Sequence, residues 1–251
     1  MRQLTTALAI AGIGILVAGC GNNDGGGTAS STTTTSTKAS SSNAPLTKAQ
    51  LPDLMLSPNE IDTALGVTGT TSDPPKTALE EDAVKRSDYT LPAECKYAIH
   101  AALAPVYADS GYTAVYGYHD LAPAPPGADD LESPDVYQFV VLFPAPDQAN
   151  AFFTTSSQQW PACANRLDTV PADSTHPELQ WKVGPIANAN GVLSTTVTLT
   201  INRNGANITV PCQRALTVRN NVVIDVDACR KDAGDLGVSL ANQIAGKVGQ
   251  K

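Results

Sequence analysis

An α+β domain built on an antiparallel sheet is the fold class this sequence predicts, and three observations carry it. β-prone alternating runs and amphipathic helical runs are interleaved along the chain. The last strands are joined by tight turns. Four cysteines remain to crosslink a chain that begins with an export signal. Parallel strands need long crossover connections, so strands joined by short turns select antiparallel pairing.

The export signal occupies residues 1–19. Arg2 is followed by an apolar run of roughly 15 residues, too short to span a bilayer well. The small residues Ala18 and Gly19 then precede Cys20. This is the pattern of a lipoprotein signal peptide, with the Cys20 thiol as the acylation site and first residue of the mature chain. The expected location is the outer face of the cytoplasmic membrane, in the cell envelope, with the lipid on Cys20 as the link to the membrane. Residues 20–50 read as a tether: Gly25 to Gly27 lead into a Ser/Thr tract from Thr28 to Ser42, with a reach of roughly 25–30 Å. The formal net charge of −8 argues against nucleic acid or anionic lipid head groups as partners.

The folded domain is expected over residues 51–251. Ser57, Pro58 and Glu60 form a helix start with a capping box, and Gly66 ends the helix. A second helix is predicted from Pro92 to about Leu103, with Cys95, Ile99 and Leu103 on one face and Pro105 stopping or bending it. Gly111 to His119 alternates like a strand. Val136 to Phe143 is apolar on both faces, as a central strand would be. Asp147 to Trp160 reads as a helix. Leu179 to Val183, Val192 to Ile201, Asn207 to Val218 and Val222 to Ala228 read as strands. Asp235 is placed to cap a last helix whose Leu236, Leu240, Ile244 and Val248 recur every four residues.

Outside the cytoplasm, Cys95, Cys163, Cys212 and Cys229 read as two disulfides. No close CxxC pair supports a metal site. The pairing follows from the last hairpin. If Asn220 and Asn221 are its two turn residues, Arg219 faces Val222, and counting outward brings Cys212 opposite Cys229. At such a non-hydrogen-bonded pair the Cα atoms lie about 4.5 Å apart, within disulfide reach. That leaves Cys95 with Cys163. The same register puts Ala215, Thr217, Ile224 and Val226 on one face. Arg214, Leu216, Val223, Asp225 and Asp227 share the other. Arg214 and Asp227 face each other, either as a solvated surface pair or as a polar wall of a cleft.

Several segments resemble the PknH-like extracellular sensor domain family. They are Ala151-Phe152-Phe153, Gln158 to Cys163, Trp181 to Pro185 with Asn190-Gly191, and above all Cys212 to Val226 ending at Cys229. Tyr112 to Val115 matches less specifically. The resemblance covers roughly residues 51–251. It implies a twisted antiparallel sheet flanked by helices, two disulfides with the pairing given above, and a surface cleft for a ligand. The chain carries no Gly-rich loop followed by a catalytic Asp motif, so kinase activity is not expected of it.

Catalytic constellations are largely missing. HExxH and GxSxG do not occur. His119-Asp120 with Asp129 and Asp130 is the one sequence-local grouping that could serve as a weak metal or acid/base site; strand-end and loop polarity is the simpler reading. No catalytic residue, metal or cofactor is expected, and the chain reads as a non-enzyme. The expected function is a membrane-anchored, extracytoplasmic ligand-binding or sensor-type lipoprotein, binding a small envelope-derived molecule or a partner protein. Trp160, Trp181, Arg214, Asp225 and Asp227 are the candidate binding residues, with Arg214 suited to an anionic or polar ligand. A structural or adaptor lipoprotein without a small-molecule ligand is the alternative.

Overall fold

In the computed structural model, residues 44–82, 89–203 and 205–251 are described. The signal peptide, Cys20 and the linker up to residue 43 lie outside them. Packing begins before the expected boundary at Leu51. Leu46 is buried, and the turn residue Asn221 holds it at both ends: Leu46 N–H donates to Asn221 Oδ1 at 2.7 Å, and Asn221 Nδ2 donates to the Leu46 carbonyl at 3.0 Å. A 3-10 turn over Lys48–Leu54 then buries Leu51 and Leu54.

Helix α1 (Pro58–Leu65) starts at Ser57, whose hydroxyl accepts the Glu60 N–H while the Glu60 carboxylate accepts the Ser57 N–H, and it stops at Gly66 in the left-handed region. The strands follow in chain order: β1 (Thr71–Ser72), β2 (Ala114–Leu121), β3 (Asp135–Leu142), β4 (Leu167–Val170), β5 (Leu179–Val183), β6 (Ala187–Ala189), β7 (Val192–Arg203), β8 (Ala206–Arg219) and β9 (Val222–Cys229). Short β1, β4 and β6 extend the set anticipated from periodicity. They run only two to four residues, which leaves little alternation to detect.

These strands pair antiparallel, in the order β1-β2-β3-β9-β8-β7-β5-β4, with β6 on β7. The last hairpin has the anticipated register. Arg219 pairs with Val222 and Cys212 with Cys229, and Asn220 carries the positive φ of 51° that a two-residue turn favours. Both disulfides join the expected partners, with Cα separations of 4.9 Å for Cys95–Cys163 and 3.9 Å for Cys212–Cys229.

The helix expected from Pro92 to Leu103 is instead broken. A 3-10 turn over Ala93–Cys95 runs into α2 (Lys96–Ile99), the chain then reverses, and α3 (Ala104–Tyr107) starts afresh with Pro105 in its first turn. The helix leaves off at His100, which is extended, and the turn that follows holds Ala102 at φ 53°. Its N–H donates to the buried Asp225 carboxylate at 2.8 Å rather than continuing a helix. A charge-assisted bond to a buried acceptor outweighs one helical bond, so tertiary context overrides the period-four pattern.

Helices α4 (Pro146–Gln159) and α5 (Leu236–Val248) match expectation closely. Asp235 stands at the α5 N-cap but makes no side-chain cap bond; Gln213 of β8 supplies the acceptor, taking the Val238 N–H at 3.1 Å.

The sheet is covered on both faces. On one side α1, α5 and the Lys48–Leu54 turn pack on Val140, Ala215, Ile224 and Val226. On the other, α2, α3, α4 and the 3-10 turn at Trp160–Cys163 pack on Phe139, Leu216 and Val223. Every residue of β9 is buried. The Arg214 face of the hairpin is therefore core, and the solvated surface pair is excluded: Arg214 is 1% exposed. Among the described residues, no helix is long and apolar enough to cross a membrane.

Candidate functional site

The Arg214 face of the hairpin carries three polar side chains, Arg214, Asp225 and Asp227, into an apolar core, and the structure divides them into a closed set and an open one. The closed set centres on Asp225. Its carboxylate accepts from Arg214 Nη1 at 2.7 Å, from the Ala102 N–H at 2.8 Å and from the Tyr107 hydroxyl at 2.9 Å. Arg214 Nη1 also donates to the Val226 carbonyl at 2.6 Å, and its guanidinium carbon lies 5.3 Å from the Trp160 ring centroid. Burial and the adjacent Asp225 charge push the Tyr107 hydroxyl well above its ordinary pKa, so it stays a proton donor. Arg214 Nε is left without a partner, but with Nη1 committed to Asp225 and the Val226 carbonyl this buried ion pair chiefly holds geometry. Here it fixes the reversal at Ala102 and, through Trp160, the turn that carries Cys163.

The open member is Asp227. It faces Arg214 in the ladder, as the register required, but the guanidinium bonds Asp225 instead. Asp227 is buried, and its Oδ1 has no hydrogen-bond partner. Burial raises its pKa to about 6; Arg214 and His100 oppose the rise, and Asp135 and Asp225 add to it.

Asp227 lines a cavity of about 250 Å³ between the end of α2 and the sheet. The helix end contributes Ile99 and His100. The opposite wall is Leu179, Trp181, Val197, Leu199 and the Cys212–Cys229 disulfide, with Asp135 and Tyr137 from β3. Tyr137 pairs directly with Asp227, and Asp135 with Cys229, so the two carboxylates are diagonal neighbours on one face. Trp181 directs its indole N–H to the Tyr89 hydroxyl at 2.9 Å and gives the cavity apolar surface. The Tyr137 ring lies between two imidazoles, edge-on to His100 at 4.7 Å and stacked on His119 at 4.1 Å. Burial, with Asp135 and Glu80 adding to it, pushes its hydroxyl up to about 12. The Cys95–Cys163 bridge holds the start of the α2 segment, so a crosslink stands on each side of the cavity.

The five anticipated binding residues therefore separate. Trp181 and Asp227 line the cavity. Trp160, Arg214 and Asp225 lie behind its wall, and the expectation that Arg214 offers its fork to an anion is corrected: Arg214 is buried, does not line the cavity, and has its Nη1 taken by Asp225 and the Val226 carbonyl. Ile99, His100, Asp135, Tyr137, Leu179, Val197 and Leu199 were not anticipated. Asp135 and Tyr137 open the strong central strand on the same face as Asp227, but that becomes visible only once β3 is known to pair with β9.

Asp227, Cys212 and Cys229 lie close enough to offer a metal three atoms. Two of those are disulfide sulfurs, which lack the thiolate a metal needs. The His119, Asp120, Asp129 and Asp130 grouping is not assembled. His119 contacts Asp73 at 3.0 Å and Asp135 at 3.4 Å. Burial opposes its protonation, but the two carboxylates together leave its pKa raised. Asp120 accepts from Gln138 at 2.6 Å and from the Ser72 hydroxyl, while Asp129 and Asp130 hold Arg203. A larger groove of about 620 Å³ beside Leu65, Pro126 and Arg230 is more open; none of the orphaned buried polar atoms found among the described residues belongs to its lining.

The fold and sequence both have relatives. The chain is 34% identical over 207 residues to the serine/threonine-protein kinase PknH of Mycobacterium bovis, covering 82% of this chain and 31% of the kinase. The Mycobacterium tuberculosis PknH matches at the same identity, with 30% of its length covered. The chain thus spans about a third of the curated relatives it matches. The crystal structure of the extracellular domain of PknH from M. tuberculosis superposes with a TM-score of 0.70 at 28% identity, covering 83% of this chain and all of that domain. The PknH-like extracellular domain family matches residues 46–247, and the chain belongs to that family.

Proposed function

We propose that this protein is a ligand-binding, sensor-type lipoprotein of the cell envelope, held at the outer face of the cytoplasmic membrane through Cys20, which takes up a small molecule in the cavity beside Asp227. The observation that carries the reading is the Asp227 carboxylate: buried, with an oxygen lacking any partner, at the edge of a mostly apolar cavity. Burying an unpaired polar group costs stability. A mostly apolar pocket with a few convergent polar groups is the usual form of a small-molecule site. Membership of an extracellular-domain family supports the location. The cavity's chemistry favours binding over catalysis, since its sulfurs are tied in a disulfide and its tyrosine resists ionisation.

Native and denaturing mass spectrometry of the chain purified from its own envelope tests both halves of the proposal. Loss of residues 1–19 with added diacylglyceryl mass on Cys20 is expected. So is a retained small molecule that disappears from a Val197→Trp form, in which the cavity is filled. An unmodified Cys20 overturns the anchor. The same molecule on both forms, or none on the native form, overturns the binding site and favours an adaptor.

A further inference from the structure

The cavity's charge pattern narrows what it accepts. Asp225 and Arg214 are paired with each other behind the wall at 2.7 Å, with Arg214 Nε left without a partner there. The cavity is left with two carboxylates, Asp227 and Asp135, and no Lys or Arg side chain in its lining. The groups facing Asp227 come from every element around it: Arg214 on β8, Asp225 on β9, Asp135 and Tyr137 on β3, and His100 at the end of α2. His100 Nδ1 is 2.8 Å from the Ala101 carbonyl, which can only accept, so that nitrogen carries a proton directed at the backbone. His119 reaches Asp135 from behind Tyr137 at 3.4 Å. Around these groups the walls are aliphatic or aromatic.

We propose that the ligand carries a protonated amine that seats on Asp227, with Asp135 as its diagonal neighbour, and an apolar body that packs against Trp181, Leu199 and Ile99. This rests on the reading of the cavity as the binding site. A cation supplies the donor that the orphaned oxygen lacks and offsets the charge that burial disfavours. An anion would enter against two carboxylates.

The test uses n-hexylammonium as probe, with hexan-1-ol and hexanoate as its neutral and anionic counterparts, titrated calorimetrically into the full chain. Hexylammonium is expected to bind about tenfold or more tighter than hexan-1-ol at pH 7.5, and hexanoate not to saturate. An alkylammonium stays protonated well above this pH, like lysine. Its affinity should therefore fall about tenfold between pH 7 and pH 5, as Asp227 takes up its proton. The Asp227→Asn form should keep the hexan-1-ol affinity, lose the preference for the amine and show a flat pH profile. A profile that falls as steeply in that variant assigns the effect to another group at the site, such as His119 beside Asp135, and overturns the role of Asp227. The native chain offers a check that needs no variant: the carbon-detected NMR titration midpoint of Asp227 should drop from about 6 when hexylammonium is bound. An unmoved midpoint, or hexan-1-ol binding as tightly as the amine, overturns the amine while leaving the cavity a binding site. Failure of all three probes overturns both.

Discussion

At the residue scale, the buried Asp227 lowers stability at neutral pH. Its pKa is raised from 3.8 to about 6 in the folded chain, chiefly by burial. Between those values the folded chain keeps a proton that the unfolded chain has lost, so stability falls as pH rises through that window. Above about pH 6 the full deficit stands, on the order of 3 kcal/mol. Asn has the same shape and does not ionise. Asp227→Asn is therefore expected to be more stable than the native chain by about 2–3 kcal/mol at pH 7.5 and to show little advantage near pH 4, measured by urea denaturation at the two values. Equal stability at pH 7.5 would show that the carboxylate already has a partner. Part of this was legible in the sequence. Register alone placed Asp225 and Asp227 on the Arg214 face, and Arg214 opposite Asp227. The choice between the two aspartates was not legible. It depends on Ala102 and Tyr107, more than a hundred residues away in the chain, whose N–H and hydroxyl complete the Asp225 shell.

At the element scale, the strongly periodic segments were readable and the tertiary exceptions were not. The α1 capping box, the period-four face of α5 and the Cys212–Cys229 register all come from local rules, and the structure has them. The turn at Ala102 that follows the broken helix and the capping of α5 by Gln213 both involve a sheet side chain bonding a helix-region N–H. Helix α5 shows how close that approach is. A Cβ on Gly237 would run into the Gln213 backbone carbonyl. Helix propensity alone would reward Gly237→Ala by about 1 kcal/mol. Overpacking against a fixed backbone costs about 1–3 kcal/mol, and the helix must also shift away from its Gln213 cap. The expected outcome is a net loss of about 1 kcal/mol or more, read from urea midpoints; a gain would show that α5 slides freely on β8.

At the scale of the whole molecule, two helical layers close over an antiparallel sheet whose central strands are buried on both faces. The β-strand runs and the tight last hairpin made that class legible. The cavity was not legible, because its walls come from α2, β3, β5, β7, β8 and β9, and no run of sequence shows those elements meeting. The two disulfides and the Arg214–Asp225 pair hold the surrounding elements in place, which suits a site that must be preorganised. The most direct measurement is a crystal structure of the chain purified from its own envelope, at a resolution that distinguishes ligand from water. The account predicts an ordered non-protein molecule against Trp181 and Leu199, with a hydrogen-bond donor on Asp227. A cavity holding only water, or a molecule seated instead in the open groove beside Arg230, would contradict it.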